Sequence, residues 1–406
     1  MTGEEGADDL PEEDREIAYG SSRAGQQFAA AMARKTGFKP WHHPVKQIVR
    51  SRQWADLTVR LLTESRPAGT AKLHYFTLPG PDLLDVRVLS DACHPLGVEI
   101  EYFGFDAAGG GYPATAPGAA PWATADAGLR QAGRVGAGAL ILPDRLEDIA
   151  EQSSQAASQL GQRPPFDVIN IDACDHLAYC PHGRTTNTFD ALQALLGHQL
   201  HCRQPWLLFL TTRAEPGLLG SPQIAFQQAI SQNLGLGGDF GSRLAETLAA
   251  DAAALGSAMT AAWGSPGPAF LKLYSVGIAK FLLQFFHGQP SLPANVELAS
   301  CYAYRVYGEE PDMLALAFRI TPDPARVFPP AAGGAAVLPS LEPQRAARAA
   351  ARAARLQDLD HALEQDEQVR AAAVSGTEQL LAAANYDVAE WRSWLAGHVR
   401  RPLHVA

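Results

Sequence analysis

The chain has 406 residues, of which 47% are hydrophobic and 19% charged, enough apolar material for a large buried core and too much for wholesale disorder. A formal net charge of -10 argues against general adhesion to nucleic acid or anionic lipid, so any polyanion site must be a local basic patch. The five cysteines are too few and too irregular for a secreted disulfide scaffold. The opening MTGEEGADDLPEEDRE lacks the basic start and apolar run of a signal peptide. The longest apolar stretch, around Ala269 to Phe286, carries Lys272 and Lys280, and a cytoplasmic protein is expected.

In chain order, residues 1–22 read as an acidic disordered tail, with eight carboxylates in the first 16 residues. Residues 23–68 read as a helical preface, in which Phe28, Met32, Val45, Ile48, Val49, Trp54, Leu57, Leu61 and Leu62 fall on amphipathic turns broken by Gly37 and Pro40. Within it Lys35, Lys39, Lys46, Arg50 and Arg52 are interleaved with Trp41, His42, His43 and Trp54. That mixture suits a nucleic-acid strand or a phosphate-bearing ligand, through charge neutralisation and stacking. It equally describes a solvated helix face with its tryptophans turned into the core.

From 69 to 322 strands and helices alternate. LHYFTL (73–78) is a short apolar strand closed by Pro79-Gly80-Pro81, and DLLDVRVLSDAC after it has helical spacing. GVEIEYFGFDA (97–107) is a second strand ending on Asp106, followed by a Gly/Ala/Pro-rich loop to about Gly138. GALILP (138–143) is a third strand, with RLEDIAEQSSQAASQLG as one helix behind it. FDVINIDACDHL (166–177) carries the strongest strand signal, an apolar run suited to a central parallel strand buried on both faces. TFDALQALLGHQLH follows as a helix and PWLLFLTTR (205–213) as a fifth strand. The region from Ser221 to Gly288 is mainly helical, and 295–322 reads as an antiparallel hairpin turning at GEEPD. A Pro/Gly/Ala-rich linker (323–343) leads to a helical C-terminal extension (344–406). Its first helix aligns Arg345, Arg348, Arg352 and Arg355 at spacings of three and four, a stripe able to face phosphates or a partner's acidic patch, or else a plain exposed helix.

Such alternation predicts an α/β fold with ligand chemistry at the carboxyl ends of the strands. Five βα units followed by helices and a hairpin resemble the class I S-adenosylmethionine-dependent methyltransferases, which implies a seven-stranded, mostly parallel Rossmann-like sheet with a terminal antiparallel hairpin. More loosely, the helical preface, the departed first loop and the I-D-x-C-D segment are similar to methyltransferase-like proteins of bacterial defence islands, such as the three-Cys-motif partner family.

The resemblance implies S-adenosylmethionine as cofactor and maps its landmarks onto particular positions. The first loop falls on Thr77, Pro79 and Gly80, where only one of the usual glycines is present and the nearest acid, Asp82, follows the turn. Asp106 stands where an acid accepts from the ribose hydroxyls, and Asp144 could reach the adenine amino group, although it also suits a helix start. After strand four, Asn170-Ile171-Asp172-Ala173-Cys174-Asp175-His176 occupies the place of the residues that orient the methyl acceptor. Alternation puts Asn170, Asp172 and Cys174 on one side, with Asp175 and His176 entering the loop. Asp172 or Asp175 beside His176 could remove a proton from an acceptor hydroxyl or amine, or the cluster could simply cap the strand.

Cys174, His176, Cys180 and His182 invite a metal reading, but their spacing matches no paired knuckle, and no metal is assigned. The expected function is a methyltransferase-like enzyme of unknown acceptor, with nucleic acid among the candidates. The alternative is a catalytically inactive nucleotide- or nucleic-acid-binding subunit of a multi-protein complex.

Overall fold

A computed structural model describes residues 34–67, 69–106, 122–289, 293–323 and 341–398. The acidic segment 1–22, much of the loop after Asp106 and most of the linker lie outside the described residues.

The preface supplies α1 (Pro44–Ile48), a π-helical stretch Val49–Ala55, and α2 (Asp56–Ser65). Eight strands follow: β1 (Lys72–Thr77), β2 (Glu99–Phe105), β3 (Leu140–Leu142), β4 (Val168–Asp172), β5 (Trp206–Arg213), β6 (Ala294–Tyr304), β7 (Met313–Pro322) and β8 (Gln357–Asp358). Between them run α3 (Leu84–Cys93), α4 (Ala123–Gln131), α5 (Gln155–Gly161), α6 (Thr188–Gln199), α7 (Gly220–Gly235), α8 (Phe240–Thr247), α9 (Leu255–Gly264), α10 (Pro268–His287) and α11 (Glu342–Ala353). After β8 come α12 (Leu359–Gln365), α13 (Glu367–Ala383) and α14 (Val388–His398).

The strands form one sheet in the order β3-β2-β1-β4-β5-β7-β6-β8. β7 pairs antiparallel with both β5 and β6, and every other pairing is parallel, so seven strands share a direction and β7 opposes them. The sequence order reverses between β1 and β4, which opens a crevice at the carboxyl ends of those two strands.

The central strands are apolar on both faces because both are covered. Phe76, Ile169, Leu208 and Leu316 point into a core shared with α6 and α10, whereas Tyr75, Val168, Phe209 and Ala315 point into a second core under the preface, α3 and α12. Among the described residues, α10 is the one helix long and apolar enough to cross a membrane, and it is mostly buried as a core helix. Its Lys280 is ion-paired with Glu342 at the start of α11.

The sheet has eight strands where seven were expected, because the Ala/Arg helix stops at Ala353 and the chain extends along β6 at Gln357–Asp358. Asp358 then caps α12, accepting from the amides of Asp360 and His361 at 3.0 and 3.1 Å. The helix expected over RLEDIAEQSSQAASQLG is two pieces, a 3-10 turn Leu146–Ala150 and α5. Ser154 separates them, since its side chain accepts from the Ala157 amide at 2.9 Å and starts a new helix. The C-terminal segment is built into the main body: α11 packs on α8, α10 and β6, and α13 packs on α1.

Candidate functional site

The preface lays one helical face against the carboxyl end of the sheet. Lys46, Arg50 and Trp54 recur at intervals of four and are all buried, at 5%, 3% and 0% exposure. The π-helical turn carrying Arg50 and Trp54 is a rare geometry that is frequent at functional sites. The Lys46 ammonium is ion-paired with Asp172 at the end of β4, lies 3.3 Å from the Tyr304 hydroxyl, and stands 5.0 Å from the Trp54 ring centre. Burial lowers the Lys46 pKa, and the neighbouring Asp172 carboxylate opposes that shift.

Arg50 is less completely served. Its Nη2 donates to the Trp41 carbonyl at 2.8 Å, while its Nε and Nη1 are buried with no hydrogen-bond partner among the described residues. Burial lowers the Arg50 pKa, with Asp172 and Asp85 partly restoring it from a distance. An unpaired buried guanidinium nitrogen loses its water without replacement, so an anion arriving there would recover a charge-assisted bond.

The first loop is held by clamps from outside it. Asp82 pairs with Lys35 and accepts from the Tyr386 hydroxyl at 2.6 Å, and its carbonyl accepts from Arg87 Nε at 2.9 Å. Leu83, just before α3, takes the left-handed conformation at φ 49. Pro79 lies against β2 at Gly104, where a β-carbon would stand 2.6 Å from the Thr77 carbonyl oxygen and 2.9 Å from Pro79 Cδ, so only glycine fits. Beneath the loop runs a buried polar chain. Asn170 Nδ2 donates to the Tyr75 hydroxyl at 2.9 Å, the hydroxyl donates to Asp85 at 2.8 Å, and Thr77 Oγ1 donates to the same carboxylate. Burial pushes the Asp85 pKa up, and its hydroxyl donors pull it back.

These elements enclose a cleft of about 170 Å³ whose walls include Trp41, Arg50, Gly80, Asp106, Asp172 and Cys174. Asp106 follows the last residue of β2. It has no side-chain partner among the described residues, and partial burial raises its pKa. Desolvation within the cleft, with Asp172 nearby, pushes the Cys174 thiol up to about 11, although the residue as a whole is exposed at the cleft mouth.

Of the residues singled out in the sequence, Pro79, Gly80, Asp106 and Asp172 thus meet in one cleft. Thr77 lies below it, bonded to Asp85, and Asp144 is not among its walls. Asp175 and His176 are also outside the lining, so of the expected trio Asp172, Asp175 and His176 the cleft walls include Asp172. The Asp175 carbonyl accepts from the Arg213 amide at 3.1 Å and its carboxylate from the His176 amide at 2.9 Å, so the pair closes the β4 and β5 strand ends. Lys35, Lys39, Trp41, Lys46, Arg50 and Arg52 do not form one exposed basic face, because Lys46 and Arg50 turn inward and Lys35 is tied to Asp82; Lys39 and Arg52 remain exposed. Among the described residues, no group of three or more His, Cys, Asp or Glu has the arrangement to hold a metal ion.

The sequence reading passed over the buried roles of Lys46 and Arg50, since a charge on an amphipathic helix is ordinarily solvated. The available signal was their alignment with Trp54 on the apolar side.

A family model described as PP_RS20740-like matches residues 35–396, and the chain belongs to that family. No curated protein matches it.

Proposed function

We propose that this chain is a methyltransferase-like protein that binds S-adenosylmethionine in the cleft at the ends of β1, β2 and β4. The observation that carries the reading is the meeting of Asp106 and Arg50 on one cleft, each with polar atoms that no described residue satisfies. A carboxylate with two free oxygens suits a vicinal diol, and a guanidinium suits a carboxylate. A ligand with a ribose at one end and an amino-acid carboxylate at the other fits both. The reversal of strand order between β1 and β4 supports the location, as does the open space where Gly80 would carry a β-carbon.

S-adenosylmethionine, when bound, supplies an electrophilic methyl group on a sulfonium. The chain's own contribution is then placement. Asp106 would receive the ribose hydroxyls and Arg50 the carboxylate. Trp41 and Trp54 form aromatic walls that exclude water, and Asp172, held by Lys46, orients an acceptor hydroxyl or amine.

A second reading keeps the ligand and drops the transfer: a nucleotide-binding subunit of a larger assembly, in bacterial defence as the looser resemblance implies. Its support is that Lys46 already engages Asp172 and that Asp175 and His176 stand outside the cleft, leaving the acceptor side without a free base among the described residues.

Isothermal titration with S-adenosylmethionine and S-adenosylhomocysteine tests the shared premise. Saturable micromolar binding, weakened about tenfold or more in Asp106→Ala, is expected from the loss of hydrogen bonds to a charged group. Absence of heat with both ligands would overturn both readings. If binding is present, transfer of a labelled methyl group to nucleic acid or protein separates the first from the second.

A further inference from the structure

At the opposite end of the sheet, where β5 and β6 begin and β7 ends, lies a larger hollow of about 490 Å³. Its walls contain Arg60, Arg319, Arg345, Arg348, Arg352 and Arg355 with the carboxylate Glu297, while Glu64 pairs with Arg60 and Arg319 and Asp323 with Arg345 at its margin. A neighbouring hollow of about 310 Å³ shares Asn295, Arg345 and Arg348 with it and continues it as a groove. We propose that this arginine groove binds the phosphodiester backbone of a nucleic acid.

The charge is built into the packing of α11. Ala346, Ala347, Ala349, Ala350 and Ala353 are buried, which brings the helix close against α8, α10 and β6 and leaves its arginines on the open face. Some of the arginines are committed. Arg345 makes a bidentate pair with Asp323 at 2.8 and 3.0 Å, and Arg319 donates to Glu64 at 2.9 Å. Arg352 reaches the Ala299 carbonyl at the β-bulge in β6. Arg348 and Arg355 are exposed and have no hydrogen-bond or ionic partner among the described residues. The connecting sequence 324–340 contains no aspartate or glutamate that could serve as a counter-charge. In a chain of net charge -10, so local an excess of guanidinium groups focuses positive potential on one groove.

The form of the groove favours a phosphate strand over an acidic protein. Guanidinium forks match phosphate oxygens in pairs, and the lining has no aromatic residue of the kind that anchors protein interfaces or stacks unpaired bases. From Arg348 to its end at Ala353 the helix advances about 7.5 Å, at about 1.5 Å per residue, and Arg355 lies in the turn just beyond. That distance spans roughly two nucleotides of one strand at about 3.4 Å each. Recognition is therefore of the backbone and independent of base sequence.

The test is fluorescence anisotropy of the full chain with a labelled 20-nucleotide DNA duplex, the corresponding single strand and an RNA of equal length, across a salt series. At least one should bind with an affinity that falls steeply with salt. The double variant R348E/R355E should weaken it about tenfold or more and reduce the slope of log K against log salt by about two, since each neutralised phosphate contributes about 0.9. Arg370→Glu, a charge reversal outside the groove, should leave both nearly unchanged, and thermal melting should confirm that the variants fold. Unchanged affinity and slope in R348E/R355E, an equal loss in Arg370→Glu, or equally effective competition by polyglutamate would each overturn the proposal.

Discussion

The Lys46 ammonium and the Asp172 carboxylate, 126 residues apart in sequence, are ion-paired at the carboxyl end of β4. This pair joins the preface to the central strand and sets one wall of the cleft. Removing Asp172 strands the Lys46 ammonium in a buried place, whereas removing both removes the problem. Asp172→Asn should therefore destabilise the fold by about 3 kcal/mol, and the double variant with Lys46→Met should recover most of the loss, read as urea midpoints at constant m. A simple sum of the two single effects would show that the pair is not coupled.

Gly104 is the point at which β2 and the Pro79 turn touch. Gly104→Ala places a methyl group 2.6 Å from a backbone oxygen that has no freedom to swing aside, so strand or loop must move. Overpacking of this kind typically costs about 1 to 3 kcal/mol. The expected result is a lower melting temperature together with weaker S-adenosylmethionine binding. A melting curve superimposable on that of the parent would mean that the loop yields more easily than the geometry indicates.

His42 links pH to folding. Burial, with Arg50 nearby, lowers its pKa to about 3, whereas the unfolded chain protonates it near 6.5. Between those values the unfolded state binds the extra proton, so this contribution is complete above about pH 6.5 and is lost as pH falls toward 3. By pH 5 the loss is about 2 kcal/mol, at roughly 1.4 kcal/mol per pH unit. His42→Asn retains an acceptor for the Lys39 amide and removes the titration. Calorimetric melting at pH 7 and pH 5 should show a smaller drop in the variant than in the parent.

The clamp on Asp82 is open to a milder change. Tyr386→Phe deletes one hydroxyl, the donor at 2.6 Å, and retains the ring that packs with Phe38 and His42. Loss of a hydrogen bond to a charged group should lower stability by about 1.5 to 3 kcal/mol. It should also speed amide exchange at Leu83 and Leu84 if the loop depends on this bond. Equal exchange rates in parent and variant would assign the loop's shape to Lys35, Arg87 and the flanking prolines without Tyr386.

The strands could be read from the sequence because burial on both faces leaves an apolar run, as in Trp206 to Leu210, with Pro205 marking its start. Asp106 was accessible to the same reading because a strand end fixes where its next residue must lie. The partition of the VINIDACDH stretch was harder. Alternation puts Asn170, Asp172 and Cys174 on one side, of which Asp172 and Cys174 line the cleft while Asn170 bonds Tyr75 beneath it; where Asp175 and His176 turn depends on the Arg213 amide of β5, a neighbour 38 residues further along the chain. Lys46 and Arg50 were harder for a similar reason. Their four-residue spacing with Trp54 puts them on the apolar side, but the groups that meet Lys46 there, Asp172 and Tyr304, come from distant strands. Two-residue β8 lies below the length at which any strand signal accumulates.

Asp82 is gripped by Lys35 from one side and Tyr386 from the other, so the first loop takes its form from residues delivered to it at widely separated moments of synthesis. A nascent chain that has emitted all of β1 to β5 still lacks the second half of that grip. The full grip on this loop is consequently acquired only after the ribosome has translated Tyr386, and a polypeptide released before that point would carry the sheet with one wall of the cleft unfinished.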